Sequence, residues 1–159
     1  MAATIRAARA TLRGTHRAHL AAHGRYDDGD PLSSGILMAD GVLSARQMIE
    51  ARAPQAVIVS TCESGRQSAA AGDELWGLAR ALLYAGAETA VLSLWRVVDW
   101  TTERLMRRFY DALLRPPDSG SPVIAAALRS AMLETREEDP RAFLWAPFTL
   151  LGDPYGAHR

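Results

Sequence analysis

The spacing of apolar positions changes several times along the chain, and each spacing predicts an element. Residues 2–13 are rich in Ala and Arg and read as a helix that Gly14 ends. His19-Leu20-Ala21-Ala22, leading to His23-Gly24, admits either a short strand or more helix. Ile36 to Leu43 holds two short apolar runs around Asp40-Gly41, the dipeptide of a tight hairpin turn. Ala45 to Arg52 reads as a brief helix closed by Pro54. Gln55 to Thr61 is a β-branched apolar run, too short for a helix and best read as a buried parallel strand. It ends at Cys62, and a loop of Gly, Ser and Ala follows to Gly72.

Asp73 to Tyr84 carries Leu75, Leu78, Ala79, Leu82 and Leu83 at helical spacing. Asp73 and Glu74 suit the positive N-terminal end of that helix, and Gly86 sits where it stops. Thr89 to Trp95 reads as a second buried strand, and Thr101 to Leu114 as a helix stopped by Pro116-Pro117. Ser121-Pro122 opens another helix that runs to about Glu134. Pro147 to Leu151 forms a last strand before Gly152-Asp153-Pro154. Strands and helices that alternate with long crossovers predict an α/β sandwich with a largely parallel sheet.

Composition narrows the class. The 159 residues leave room for a single domain spanning 1–159. Hydrophobic residues at 48% and charged residues at 23% give an ordinary globular balance. The 18 basic residues, all Arg, are matched by 18 acidic ones, which argues against nucleic acid or an anionic membrane as partner. The absence of Lys and Asn reads as codon bias and carries no functional weight. A single cysteine, Cys62, forms no intrachain disulfide, which suits a reducing cytoplasm. No apolar run approaches the ~18–20 residues of a membrane span.

In open α/β sheets reactive groups gather outside the carboxyl ends of the strands. Cys62 directly follows one predicted strand and His23 follows another. A thiol beside an imidazole is a nucleophile and general acid/base pair. Gly24 and Gly65 let backbone approach a reacting carbonyl, so that amide N–H groups face a developing oxyanion. Taken alone, Cys62 reads more simply as a small buried hydrophobe and His23 as a cap or turn residue. A competing reading uses His16, His19 and His23, whose i, i+3, i+7 spacing would share one helical face as a metal site. Arg104, Arg107 and Arg108 beside Glu103 and Asp111 read as a self-neutralised, solvated helix face. Trp76, Phe109, Tyr110, Trp145 and Phe148 read as packing, and Glu63 and Asp73 as loop and cap residues that could also line a cationic pocket.

Two motifs together, His19-Leu20-Ala21-Ala22-His23-Gly24 and Val59-Ser60-Thr61-Cys62-Glu63-Ser64-Gly65, resemble the CHAT-domain peptidases, bacterial relatives of caspases and separase. Pro31 to Ala45, Gly72 to Ala81, Ser93 to Asp99, Leu105 to Tyr110, Trp145 to Phe148 and Leu151 to Pro154 follow in the family's order. The resemblance covers about residues 18–154. It implies a caspase-like three-layer α/β/α sandwich and a cysteine endopeptidase with Cys62 as nucleophile and His23 as general acid/base. The oxyanion hole would be the backbone N–H groups of Gly24 and Cys62. The strand after the nucleophile strand would wall the substrate groove, which assigns substrate binding to Ser93, Leu94 and Trp95, with Trp95 and Asp99 at the pocket rim.

The resemblance further implies hydrolysis through a thioester without metal or organic cofactor. It points to a protein or peptide substrate and a bacterial regulatory or defence setting. Met1 begins at the helix just before the histidine strand, so the sheet is expected to lack the family's first strands and to expose an unpaired edge. From this comes an alternative function: a truncated or inactive CHAT module acting as a binding scaffold, with a regulatory partner or a completing chain.

Overall fold

The computed structural model describes residues 3–25, 27, 29–63, 71–95, 97–115 and 123–155; for 61–63 and 71–76 it describes the backbone alone. The expected loop at Gly65, the helix opening at Ser121-Pro122 and the side chains of Cys62, Glu63, Asp73 and Trp76 lie outside the described residues.

Helix α1 (Ile5–Gly14) starts at Thr4, whose hydroxyl accepts from the Ala7 N–H. Strand β1 (Arg17–Arg25) settles the ambiguity at residues 19–22: Ala18 and Leu20 enter one core, while His19, Ala21 and His23 line the other side of the sheet. Strands β2 (Gly35–Met38) and β3 (Gly41–Ser44) form a hairpin in which Met38 faces Gly41. Its turn is therefore Ala39-Asp40 instead of Asp40-Gly41. Asp40 accepts the Ile5 N–H at 2.8 Å, which ties the hairpin tip to the start of α1, and Gly41, at φ +144°, opens the return strand.

Helix α2 (Ala45–Ala51) begins with a reciprocal capping box between Ser44 and Gln47. Strand β4 (Ala56–Glu63) includes Cys62, the position expected just past its end. Helix α3 (Ala71–Tyr84) leads to the fully buried β5 (Thr89–Ser93). Then come α4 (Asp99–Leu114), α5 (Ile124–Glu138), the single turn α6 (Ala142–Trp145) and β6 (Phe148–Gly152).

The six-stranded sheet has the order β3-β2-β1-β4-β5-β6. β1, β4 and β5 run parallel, whereas β2, β3 and β6 are antiparallel additions at the flanks. The parallel expectation thus holds for the centre of the sheet, and the sheet as a whole is mixed. On one face α1, α2 and α3 bury Leu12, Met48 and Leu82 against Leu20, Val57, Val59 and Leu92. On the other, α4 and α5 bury Leu105, Phe109, Ile124 and Leu128 against Ile58, Val91 and Phe148. This is a three-layer α/β/α sandwich, consistent with a caspase-like fold.

Helices α4 and α5 are locked by charge as well as by packing. Arg104 and Arg108 both bond Glu138, and Arg108 also donates to the Thr135 hydroxyl at 3.0 Å. The arginine face expected to neutralise itself on one helix does so only at Arg107–Glu103; Arg104 and Arg108 reach across to α5.

The backbone of β1 has a directional pattern with consequences for both edges. The Ala56 N–H donates to the His16 carbonyl. Alternation from that bond directs the polar groups of even-numbered β1 residues toward β4 and those of Arg17, His19 and Ala21 away from it. On that second side β2 pairs only with Gly24 and Arg25. Among the described residues no strand pairs with Arg17 to Ala21 there.

Gly35 sits at the junction of three strands, opposite Arg25 on one side and Ser44 on the other. A Cβ there would lie 2.1 Å from the Leu43 carbonyl oxygen and 2.7 Å from the Ser44 Cα. Gly35→Ala should therefore destabilise the fold by about 1–3 kcal/mol, since backbone and not a flexible side chain must move. The midpoint of urea unfolding measures this; an unchanged midpoint would show that β3 can retreat freely.

Candidate active site

The strand order reverses between β1 and β4: from β1 the chain proceeds outward to β2 and β3, then jumps to β4 and proceeds outward the other way. At such a switch point the loops leaving the two strands diverge and open a crevice at their carboxyl ends. His23 and Cys62 are Cα partners in the β1–β4 ladder at that end. Adjacent strands lie ~4.8 Å apart, and partners in a parallel ladder share a face of the sheet. Position 62 accordingly lies on the face that carries Ile58 and Ser60, and His23 on the face that carries His19.

The same register directs the Cys62 amide toward Ala22 and the Gly24 amide toward Cys62. Both N–H groups expected to form an oxyanion hole are thus turned into the ladder.

A cavity of about 480 Å³ opens on this face between β1 and α4. Asp99, Thr102, Glu103, Met106, Arg107 and Tyr110 line it from α4 at a spacing of three and four, one continuous stripe of the helix. His19, Ala21, His23 and Ser60 line it from the sheet. Because α4 starts above the carboxyl end of β5 and runs down the sheet, Asp99 and His23 lie at the top and Tyr110 and His19 at the bottom. The His19 and Tyr110 rings meet there with centroids 5.6 Å apart, and His19 Nε2 lies 2.8 Å from the Ser60 hydroxyl. Burial pushes the His19 pKa down, and its ring shares a hydrogen bond with the Ser60 hydroxyl whose direction the tautomer sets. Burial also pushes the Tyr110 phenol up, partly offset by Arg17.

The other expected residues fall around this crevice. Ser93 closes β5 opposite Phe148, and the Leu94 N–H donates to the Pro147 carbonyl at 2.5 Å. Trp95 points its indole N–H to the Phe143 carbonyl on α6 and does not line the cavity, whereas Asp99 does. β5 pairs with β4 only as far as Leu92, so β4 projects beyond it at the crevice. The metal reading rested on a helical histidine face; residues 19 and 23 are in a strand and His16 precedes it, which removes that face. Among the described residues no group of three His, Cys, Asp or Glu side chains gathers to hold an ion. No helix among them is long and apolar enough to cross a membrane.

Ser60, Met106 and Tyr110 were not singled out as site residues from the sequence, where Tyr110 read as packing. The usable signal was the stripe 99, 102, 103, 106, 107, 110, which runs beside the core stripe Leu105, Phe109 and Leu113 on the same helix.

The chain belongs to the CHAT domain family, which it matches over residues 1–153, a stretch that includes α1 as well as the segments from residue 18 onward. It is also similar to tetratricopeptide repeat protein 28 of Homo sapiens, with 27% identity over 127 residues. That alignment covers 79% of this chain and 5% of the human protein.

A histidine whose pKa is lowered in the folded state gives a defined pH response. Between its folded value and the ordinary 6.5 the unfolded chain binds more protons, so stability rises with pH through that window and levels off above it. Acidification from pH ~7.5 to ~5 should therefore cost the wild type more stability than His19→Phe, which has no such proton to take up. Paired urea titrations at the two pH values give the difference; equal losses would mean that His19 titrates alike in both states.

Proposed function

We propose that the chain is a cysteine-type endopeptidase domain in which Cys62 is the nucleophile and His23 the general acid/base. The observation that carries this reading is the register pair His23↔Cys62 at the carboxyl ends of two adjacent parallel strands, at the switch point of the sheet. Membership of the CHAT family supports it, since that family is related to peptidases.

In this mechanism the Cys62 thiolate attacks the carbonyl carbon of the scissile peptide bond. The C–N bond breaks as the His23 imidazolium gives its proton to the leaving amine, and a thioester remains. Water then attacks the thioester; His23 takes its proton, the carboxylic product leaves, and the thiolate–imidazolium pair is restored. An oxyanion formed at position 62 needs the Gly24 and Cys62 N–H groups, so the last register pairs of the ladder part as the acyl group is seated. Ser93 to Trp95 and Asp99 border the bound peptide. The protein substrate, any regulatory partner and a bacterial, cytoplasmic setting are part of this proposal.

A second reading, a binding scaffold completed by another chain, is favoured by the open edge of β1 at Arg17, His19 and Ala21, which offers main-chain groups to an added strand. One experiment separates the two. The purified protein is treated with a peptidyl acyloxymethyl ketone and its intact mass followed with time. The peptidase reading expects one adduct on the wild type, none on Cys62→Ala, and labelling slowed at least ~100-fold in His23→Ala. Labelling of Cys62 at an unchanged rate in His23→Ala would refute the dyad, and absence of any adduct on the wild type would favour the scaffold.

A further inference from the structure

We infer that the hydrogen bond between His19 and Ser60 is a clamp that stops the parting of β1 and β4 just below the dyad, which makes His19 and Ser60 positioning residues for the reaction. This inference rests on the peptidase reading. It adds how the two strands keep His23 in reach of Cys62 while the oxyanion hole opens.

The backbone pattern sets where the parting ends. With the Ala56 N–H donating to the His16 carbonyl, alternation along the ladder gives the Cys62 N–H to the Ala22 carbonyl and the Gly24 N–H to the Cys62 carbonyl. Freeing those two amides for an oxyanion leaves the bond from the Ala22 N–H to the Ser60 carbonyl as the first one still closed. Ser60 is thus the last residue of β4 whose backbone bonds stay intact, and its hydroxyl lies 2.8 Å from His19 Nε2 on β1. Register opposes His19 to Ile58 and Ser60 to Ala21. The bond therefore runs diagonally across the ladder, on the face of the His23↔Cys62 pair and directly below it.

β1 needs such a hold. Ala18 and Leu20 anchor it on the opposite face, but no strand among the described residues pairs with Arg17 to Ala21 on its outer side. On the cavity face Ala21 and His23 are exposed. His19 is braced from α4: its ring meets that of Tyr110 at 5.6 Å, and the Tyr110 ring stands edge-on to buried Phe109 at 5.0 Å. α4 is in turn held on α5 through Arg104, Arg108 and Glu138. An apolar pair at positions 19 and 60 could fill the same space, but dispersion contacts tolerate sliding. A hydrogen bond between a ring nitrogen and a hydroxyl fixes both separation and direction. Its loss lets the opening run further down the ladder and carries His23 away from Cys62. A displacement of ~1 Å at such a group costs up to ~100-fold in rate.

The test follows labelling of Cys62 by a peptidyl acyloxymethyl ketone over a range of reagent concentrations, which separates the saturating rate from the half-saturating concentration. Ser60→Ala and His19→Phe should each lower the saturating rate at least ~10-fold and move the half-saturating concentration less than ~3-fold. The double variant should stay within ~3-fold of the slower single one, since both substitutions remove the same bond. His19→Gln, whose side-chain amide can bond the Ser60 hydroxyl, should recover most of the lost rate. Urea titration identifies conditions in which each variant is fully folded; a pair that served the fold alone would lower the urea midpoint and leave the saturating rate of the folded protein unchanged. A saturating rate within ~3-fold of wild type in folded Ser60→Ala, or losses that multiply in the double variant, overturns the clamp and leaves the dyad standing. An effect confined to the half-saturating concentration overturns it as well, since the pair would then act on peptide binding. No labelling of the wild type overturns the peptidase reading and the clamp with it.

Discussion

Eight consecutive register pairs, from Arg17↔Ala56 to Gly24↔Glu63, join β1 to β4, and the remaining architecture is organised about that parallel ladder. It joins two segments with a hairpin and a helix between them, so it forms only when α2 and the hairpin have returned the chain to the sheet. Its two-residue alternation divides β1 and β4 between the cores: Leu20, Val57 and Val59 meet α1, α2 and α3, and Ile58 meets α4 and α5. The same alternation gathers His19, Ser60 and His23 on the second face, where α4 does not close fully over β1. Packing and candidate chemistry are therefore set by one register. A slip of one residue would exchange the faces and send Leu20 into the cavity and His19 into the core.

Helix α4 shows how one segment serves both demands. Leu105, Phe109 and Leu113 are buried in the core beneath it, while Met106, part of the same core, and Tyr110, packed against it, also line the cavity. Arg104 and Arg108 on a further side hold α5 through Glu138 and Thr135. With its core and α5-facing sides both held, the stripe toward β1 is presented at a fixed height and angle. A cavity bounded by a strand and a helix locked in this way is preorganised.

Much of this was legible in the sequence. The β-branched run at 55–61 and the run at 89–95 could be little other than central strands, although the second ends at Ser93, and the apolar stripes at 73–84 and 101–114 could be little other than covering helices. The ordered motifs around His23 and Cys62 carried the family. The errors have specific physical causes. The hairpin turn moved by one residue because Asp40 is used to cap α1 through the Ile5 N–H, a contact between segments that no local dipeptide rule contains. The arginines of α4 looked self-paired because an i, i+4 partner is visible in sequence and a partner on α5 is not. The histidine triad at 16, 19 and 23 depended on helical geometry, and the strand that forms there obeys a period of two.

The sequence by itself determined the element types, the layered α/β class, the family and the two residues that could form a nucleophile–base pair, because periodicity, turn chemistry and motif are local properties of the chain. Only the tertiary structure decided that residues 23 and 62 share one register, that the sheet is parallel at its centre and antiparallel at its flanks, and that one side of β1 between Arg17 and Ala21 is unpaired among the described residues. It alone placed Ser60, Met106 and Tyr110 about a cavity beside His23. The reason is that register and cavity shape are relations between distant segments, fixed by which faces must be buried together, and those relations exist only once the layers have packed.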